Sequence, residues 1–216
     1  MQPSEPIKVD IWSDIACPWC YIGKRRFETA VAKSGENVVV EYHSFELSPD
    51  TPVDFGGSTA EFLSQRKGIP PQQVEQMLTQ ITELAAHEGL SYDFEILHHT
   101  NTRKAHRLLH FAKAEDRQIE LKERLLSAYF EQGRHLGKDE ELVELAVEVG
   151  LDRDRAVEVL AGDEYLDDME QDMRTAQQYG IRGVPFFVID GKYGVSGAQE
   201  PDTFVAALRT ARNGGE

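Results

Sequence analysis

Ile7-Lys8-Val9-Asp10-Ile11-Trp12 runs through Ser13-Asp14-Ile15-Ala16 into Cys17-Pro18-Trp19-Cys20, and this stretch decides the fold. The first six residues alternate and are rich in β-branched side chains, which predicts a strand. Pro18 suits the first turn of a helix because it has no N–H to leave unpaired there. A helix is expected from about Pro18 to Lys33, with Ile22, Phe27, Ala30 and Val31 near helical spacing and Ser34-Gly35 closing it. Val38 to Phe45 reads as a second strand. The opening is therefore a βαβ unit with a cysteine pair on the turn into its helix.

Outward from that unit the character changes. Asp50 to Ser58 is a Pro- and Gly-rich connection, and from about Thr59 to Tyr179 the pattern is helical, with Pro70-Pro71 marking one helix start and Gly133, Gly137, Gly150 and Gly162 punctuating the rest. Strand character returns at Gly183 to Asp190. Asp190-Gly191 signals a hairpin turn, Tyr193 to Ser196 a further short strand, and Pro201 a last helix. The expected fold class is α/β. A discontinuous domain of residues 1–56 plus 180–216 carries an inserted all-helical domain of residues 57–179. Because both ends of the insertion leave the sheet domain, the helical part is expected to pack beside the cysteine pair.

The chain of 216 residues carries 23 Lys+Arg against 38 Asp+Glu, a formal charge of −15. That balance argues against nucleic acid and anionic membrane as partners, since both demand a cationic surface. A hydrophobic fraction of 40% is too high for disorder. No stretch approaches the ~20 apolar residues that span a bilayer. The start, Met1 to Pro6, has neither a basic nor an apolar leader region, so the expected location is the cytoplasm.

Cys17 and Cys20 are the only cysteines. Two cysteines this close in a cytoplasmic chain point to redox chemistry rather than to a disulfide framework. A helix N-terminus offers unpaired N–H groups and a partial positive charge, which predicts a lowered Cys17 pKa. Cys20, one turn on, can attack a mixed disulfide formed at Cys17. Trp19 adds apolar surface beside the sulfur. A zinc half-site would need two histidines, such as His106 and His110; with no third cysteine and no matching spacing, no metal is expected.

Strand, cysteine pair, helix, strand, long helical insertion and then Gly183-Val184-Pro185 before a hairpin together resemble a thioredoxin fold of the DsbA type. Trp12-Ser13-Asp14 with Cys17 to Gly23, Asn101 to Arg107, and Ser196-Gly197-Ala198-Gln199 resembles, more narrowly, the FrnE-like branch of that family. The resemblance implies that Cys17 is the nucleophile and Cys20 the resolving thiol. It makes Val184-Pro185 a cis-proline turn facing them, with a backbone that pairs with an incoming extended peptide. It also suggests a substrate groove drawing on Trp12, Asn101, Arg103, His106 and the Ser196 to Gln199 loop. Related folds place an acid under the resolving cysteine, which makes Asp10 a candidate proton acceptor with a raised pKa, against the plainer reading of a strand-edge aspartate. Asp14 reads as a solvated loop or cap residue, and Asn101 or Thr102 as a helix cap. His98-His99 and Arg134-His135 read as exposed loop residues.

Two departures limit what carries over. Some FrnE-like proteins have a second cysteine pair near the C-terminus and this sequence has none, so no relay between pairs is expected. Secreted DsbA proteins have His between the cysteines where Pro18-Trp19 stands here, so a strongly oxidising poise is not carried over. The expected function is thiol–disulfide exchange with peptide, protein or small-molecule disulfides, without a cofactor beyond the Cys17–Cys20 pair, with glutathione as a conceivable co-substrate and a homodimer left open. The alternative is a glutathione-dependent enzyme of the hydroxychromene-carboxylate isomerase or kappa-transferase type, which shares the fold but typically has Ser at the position of Cys17.

Overall fold

The computed structural model describes residues 5–214. Residues 1–4 and the last two, used above for the lack of a leader and of a second cysteine pair, lie outside the described residues. In chain order the elements are β1 (Ile7–Ser13), α1 (Pro18–Ser34), β2 (Val38–Ser44), α2 (Thr59–Lys67), α3 (Pro71–His87), α4 (Arg103–Ala114), α5 (Gln118–Gln132), α6 (Asp139–Glu148), α7 (Arg153–Ala161), α8 (Leu166–Gln178), β3 (Phe186–Ile189), β4 (Tyr193–Ser196) and α9 (Pro201–Arg212). The chain divides into two compact units, one running up to Leu47 and resuming at Glu170, the other spanning Ser48–Met169. Both divisions fall about ten residues earlier in the chain than expected, at 47/48 rather than 56/57 and at 169/170 rather than 179/180. The chain leaves the sheet unit just after β2 and rejoins it inside α8. Helical periodicity runs unbroken through that point, so the pattern alone cannot show that the later turns of α8 cover a sheet.

In the sheet unit the strand order is β2-β1-β3-β4. β1 and β2 are parallel, with Ile7 opposite Val38 and Ile11 opposite Tyr42, as a βαβ crossover requires. β3 is antiparallel to β1 and to β4. Asp190 and Gly191 both have positive φ (54° and 65°), and Lys192 N–H donates to the Ile189 carbonyl at 3.1 Å. Both central residues of this turn are left-handed, and because Ile189 pairs with Tyr193 the connection is a three-residue loop, Asp190 to Lys192.

Period-2 alternation then sorts the faces. Val9 and Ile11 of β1 and Phe187 and Ile189 of β3 point to one side, where they pack with Phe27 and Ala30 of α1 and Phe204 and Leu208 of α9. Burying aliphatic and aromatic side chains of this size contributes about 1.5–3 kcal/mol each. Trp12 and Val188 point to the other side, against Ala176 of α8 and Ile181. Helix α1 closes on Gly35 in the left-handed conformation (φ 68°), its N–H returned to the Val31 carbonyl.

In the helical unit, α2 opens with a capping box in which Ser58 and Glu61 satisfy each other's backbone N–H. α4 packs on α5 and α7. The buried Arg107 of α4 donates to the carbonyls of Glu164 (2.8 Å), Gly162 (2.5 Å) and Val159, satisfying the end of α7. One expectation is corrected here. His99 is buried rather than an exposed loop residue; it stacks on Phe62 at 4.3 Å and lies 3.0 Å from Thr59 Oγ1. Burial, with the nearby His98, lowers its pKa to about 4, so its ring is neutral.

Candidate active site

The cysteine turn is shaped by the residue before it. β1 ends at Ser13, and Asp14 turns its carboxylate inward, accepting from Ala16 N–H at 3.4 Å and from Leu47 N–H at 2.8 Å. At 2% exposure it is buried, which corrects the reading of a solvated loop residue: a short carboxylate can close a turn onto backbone donors that would otherwise go unpaired. Cys17 follows as the N-cap of α1, in the extended region (φ −95°, ψ 112°), with Pro18 in the first turn. Cys20 N–H donates to the Cys17 carbonyl at 3.0 Å. Both cysteines are buried, each 3% exposed, and their sulfurs are not bonded to one another. Trp19 between them is 39% exposed.

The opposite wall comes from the other end of the chain. The Val184–Pro185 peptide bond is cis, and Cys17 Sγ–H donates to the Val184 carbonyl at 3.5 Å. Gly197 N–H donates to the Pro185 carbonyl at 2.8 Å, which ties this loop to Ser196–Gln199. That second loop is held in turn by Arg26 of α1, whose guanidinium donates to the Ala198 carbonyl at 2.9 Å and pairs with Glu200 at 2.8 Å. Gly23, on the next turn of α1, makes the approach possible. A Cβ there would lie 2.9 Å from Pro185 Cγ and 3.4 Å from Ala198 Cβ, too tight for any other residue without displacement. Gly23 and Arg26 were not among the expected site residues. A glycine inside a helix, where it costs about 1 kcal/mol relative to alanine, was the available signal for the first.

The environment of Cys17 overturns the expectation of a lowered pKa. Its thiol is pushed well up, first by the side-chain hydrogen bond with Cys20, then by burial, and further by the charges of Cys20 and Asp14; the Cys20 backbone N–H opposes them. The helix N-terminus is present, with no acidic residue in the first turn, but water is largely absent and a buried carboxylate lies three residues back. Desolvation and like charge both favour the neutral thiol. Asp14→Asn, which removes the charge and keeps one acceptor, is therefore expected to move the pH profile of Cys17 alkylation to lower pH. Iodoacetamide rates on reduced protein from about pH 6 to about pH 10 measure this. Superimposable profiles for the two proteins would show that the Asp14 charge does not reach the sulfur.

Asp10 and Trp12 do not take the roles expected of them. Both lie on the sheet face opposite α1. The Asp10 carboxylate receives His43 Nε2 at 2.8 Å and Lys8 Nζ at 3.0 Å. Burial pushes its pKa up, but those two partners outweigh burial and hold it below the usual value, so it is an ion-paired strand carboxylate and no raised-pKa base. Trp12 is 2% exposed, donates Nε1–H to the Asp172 carbonyl at 3.0 Å and stacks on His43 at 4.5 Å; its faces are spent inside the unit, so it lines no open groove. His43 itself sits between two carboxylates, with Nδ1 2.7 Å from Asp172 Oδ1. Burial alone would lower its pKa, but Asp10 and Asp172 raise it to about 9. The imidazolium thus clamps β2 to both β1 and α8.

The remaining candidates lie in the helical unit. Asn101 Oδ1 accepts from Arg103 N–H at 2.9 Å and its Nδ2 donates to the Pro49 carbonyl at 2.7 Å, so this side chain serves the entry to α4. Arg103 is exposed and His106 buried. Among the described residues, the trio with ligand atoms close enough to share one cation is Asp10, Glu41 and His43. Lys8 Nζ already lies 3.0 Å from Asp10 and 3.2 Å from Glu41, which fills that position with an ammonium.

Comparison with known proteins places this arrangement. A Streptomyces coelicolor protein described as a probable DsbA oxidoreductase is 42% identical, covers 97% of this chain and 91% of its own, and superposes with a TM-score of 0.90. YwbO of Bacillus subtilis, a protein without an assigned activity, is 31% identical over 204 residues, 94% of this chain and 96% of its own. The cytosolic disulfide reductase DsbM of Pseudomonas aeruginosa, solved with GSH, shares the fold at 18% identity, with a TM-score of 0.66 over 95% of this chain and 99% of its own. The profile of the DSBA-like thioredoxin domain matches residues 8–209. From β1 through α9, cysteine turn and proline loop included, the chain therefore belongs to the DSBA-like thioredoxin domain family.

Proposed function

We propose that this protein is a thiol–disulfide oxidoreductase acting in the cytoplasm on peptide or small-molecule disulfides. The observation that carries the reading is the placement of Cys17 Sγ 3.5 Å from the Val184 carbonyl across the cis-proline loop, with Cys20 one helical turn behind it. Cys17, as thiolate, attacks one sulfur of the substrate disulfide, forming a mixed disulfide and expelling the first substrate thiolate. Cys20 then attacks Cys17 Sγ, the mixed disulfide breaks, and the second substrate thiolate leaves. The substrate gains two electrons and two protons; the enzyme is left with a Cys17–Cys20 disulfide. The edge of the Val184-Pro185 loop offers an extended substrate a backbone to pair with.

The thiol environment favours the reducing direction. A strong oxidant of this type owes its poise to a stabilised thiolate in the reduced form. Here Cys20, burial and Asp14 stabilise the neutral thiol instead. The DsbM resemblance supports a reductase with glutathione as the thiol partner. Incubation of reduced protein with excess glutathione disulfide is expected to yield a species two hydrogens lighter, with neither thiol available to maleimide. Two alkylatable thiols after that treatment would rule the reading out.

A further inference from the structure

We propose that Arg182 makes the cysteine site selective for disulfides that carry a carboxylate beside the sulfur. This rests on the thiol–disulfide exchange reading and names its substrate class. Arg182 lies in the segment leading to the cis-proline loop, two residues before Val184, whose carbonyl touches Cys17 Sγ. It is exposed. Among the described residues of the sheet unit, the guanidinium and ammonium groups other than Arg182 and Arg209 engage a carboxylate, including Lys8, Arg26 and Arg212. In a chain of charge −15 an arginine without a carboxylate partner among the described residues is unusual, and this one lies two residues before the carbonyl that Cys17 Sγ–H meets.

The surroundings of the loop favour an anion as well. Gly183 has open space where a side chain would be, so a ligand can approach the backbone there. Among the described residues, the N–H groups of Gly183 and Val184 have no acceptor. The first turn of α1, which begins at the same sulfur, contains no acidic residue to offset its N-terminal charge. An exposed cation and unspent backbone donors in the loop whose Val184 carbonyl meets Cys17 Sγ, with a helix N-terminus beginning at Cys17, make a set suited to a carboxylate. The acidic net charge opposes this only weakly. At physiological ionic strength charges beyond ~8 Å are largely screened. The opposing charge that counts is the buried Asp14 carboxylate, which already accepts from the Ala16 and Leu47 N–H groups, and it is this charge that the Arg182 guanidinium has to offset.

The test uses the full-length protein and the ratio of kcat/KM for glutathione disulfide, which is anionic, to that for cystamine, which is cationic. The ratio is expected to fall about threefold in Arg182→Gln and about tenfold in Arg182→Glu, to survive in Arg182→Lys, and to shrink in wild type at about 0.5 M salt. Arg209→Glu, which makes the same charge change on α9, should leave the ratio within about twofold of wild type. Two disulfide peptides differing only in Glu or Lys beside the half-cystine separate the sources of the carboxylate. A preference for the Glu peptide extends the selectivity to acidic polypeptides, and its absence confines it to small anionic disulfides. Equal shifts from Arg182→Glu and Arg209→Glu, or none from either, would overturn the proposal. Turnover of the neutral hydroxyethyl disulfide by wild type tests the exchange chemistry separately. If it is turned over while the Arg182 variants leave the ratio unmoved, only the selectivity is lost; if it is not, the exchange reading falls and this proposal with it.

Discussion

Cys20→Ser is expected to be isolated carrying covalently attached small thiols or proteins, and Cys17→Ser to carry none. Disulfide exchange should fall by about three orders of magnitude or more in each. The two thiols lie on one helix turn, with Cys20 N–H bonded to the Cys17 carbonyl. Well-oriented intramolecular attack carries effective molarities of roughly 10⁵–10⁸ M, so in wild type the mixed disulfide at Cys17 is resolved before it accumulates. Without the Cys20 sulfur only external thiol can resolve it, and the adduct persists. Non-reducing isolation followed by intact mass measurement reads the result. The isomerase or transferase alternative predicts the opposite pattern: glutathione is then the nucleophile, Cys20 has no task, and Cys17→Ser keeps activity because a hydroxyl serves at that position. A clean Cys20→Ser protein beside an active Cys17→Ser protein would favour that alternative.

The second large effect concerns stability. His43 is held between Asp10 and Asp172 at 2.8 Å and 2.7 Å, with Glu41 at 3.7 Å and Lys8 bridging Asp10 and Glu41. Its pKa rises from 6.5 to about 9, a difference of roughly 2.5 units, which at 1.36 kcal/mol per unit corresponds to about 3 kcal/mol. The group is only 15% exposed, so solvent screening removes little of this, and the lowered Asp10 pKa reports the same interaction rather than an additional one. Because the folded pKa is the higher one, the contribution is fully present below pH 6.5 and is lost as pH rises through about 9. The Asp10 side has the opposite sign: its share is present above the unfolded value of 3.8 and is lost as pH falls through its lower folded pKa. Wild-type stability from urea unfolding should therefore drop between about pH 6 and about pH 9.5, while His43→Leu should be less stable by about 3–5 kcal/mol at pH 6 and nearly flat across that interval. Equal pH slopes in the two proteins would refute the clamp.

Much of the fold was legible because it depends on local rules. Alternation in Ile7 to Trp12, Pro18 at a helix start, Gly35 at its end and Asp190-Gly191 at a hairpin are each read from a few neighbouring residues, and each element forms where those residues predict. The cysteine pair was equally plain, since two thiols three residues apart at a helix start meet by helical geometry alone. Val184-Pro185 and the Ser196–Gln199 loop came from resemblance, because no local rule places residue 184 beside residue 17.

The tertiary structure alone decided the electrostatics. From the sequence, Cys17 promised a low pKa and Asp14 a solvated turn; folding buries both together, and desolvation with a neighbouring carboxylate outweighs the helix terminus. Asp10 promised a base, but its strand parity turns it away from α1 and toward His43, while Asp172, some 160 residues later in sequence, completes the clamp. Periodicity tells which residues share a face. It is silent on which distant charges meet there, and Coulomb energies depend steeply on that distance and on how much water remains between the groups. The sequence therefore determined the scaffold and the cysteine pair, and the fold set the buried, carboxylate-flanked environment that raises the Cys17 pKa.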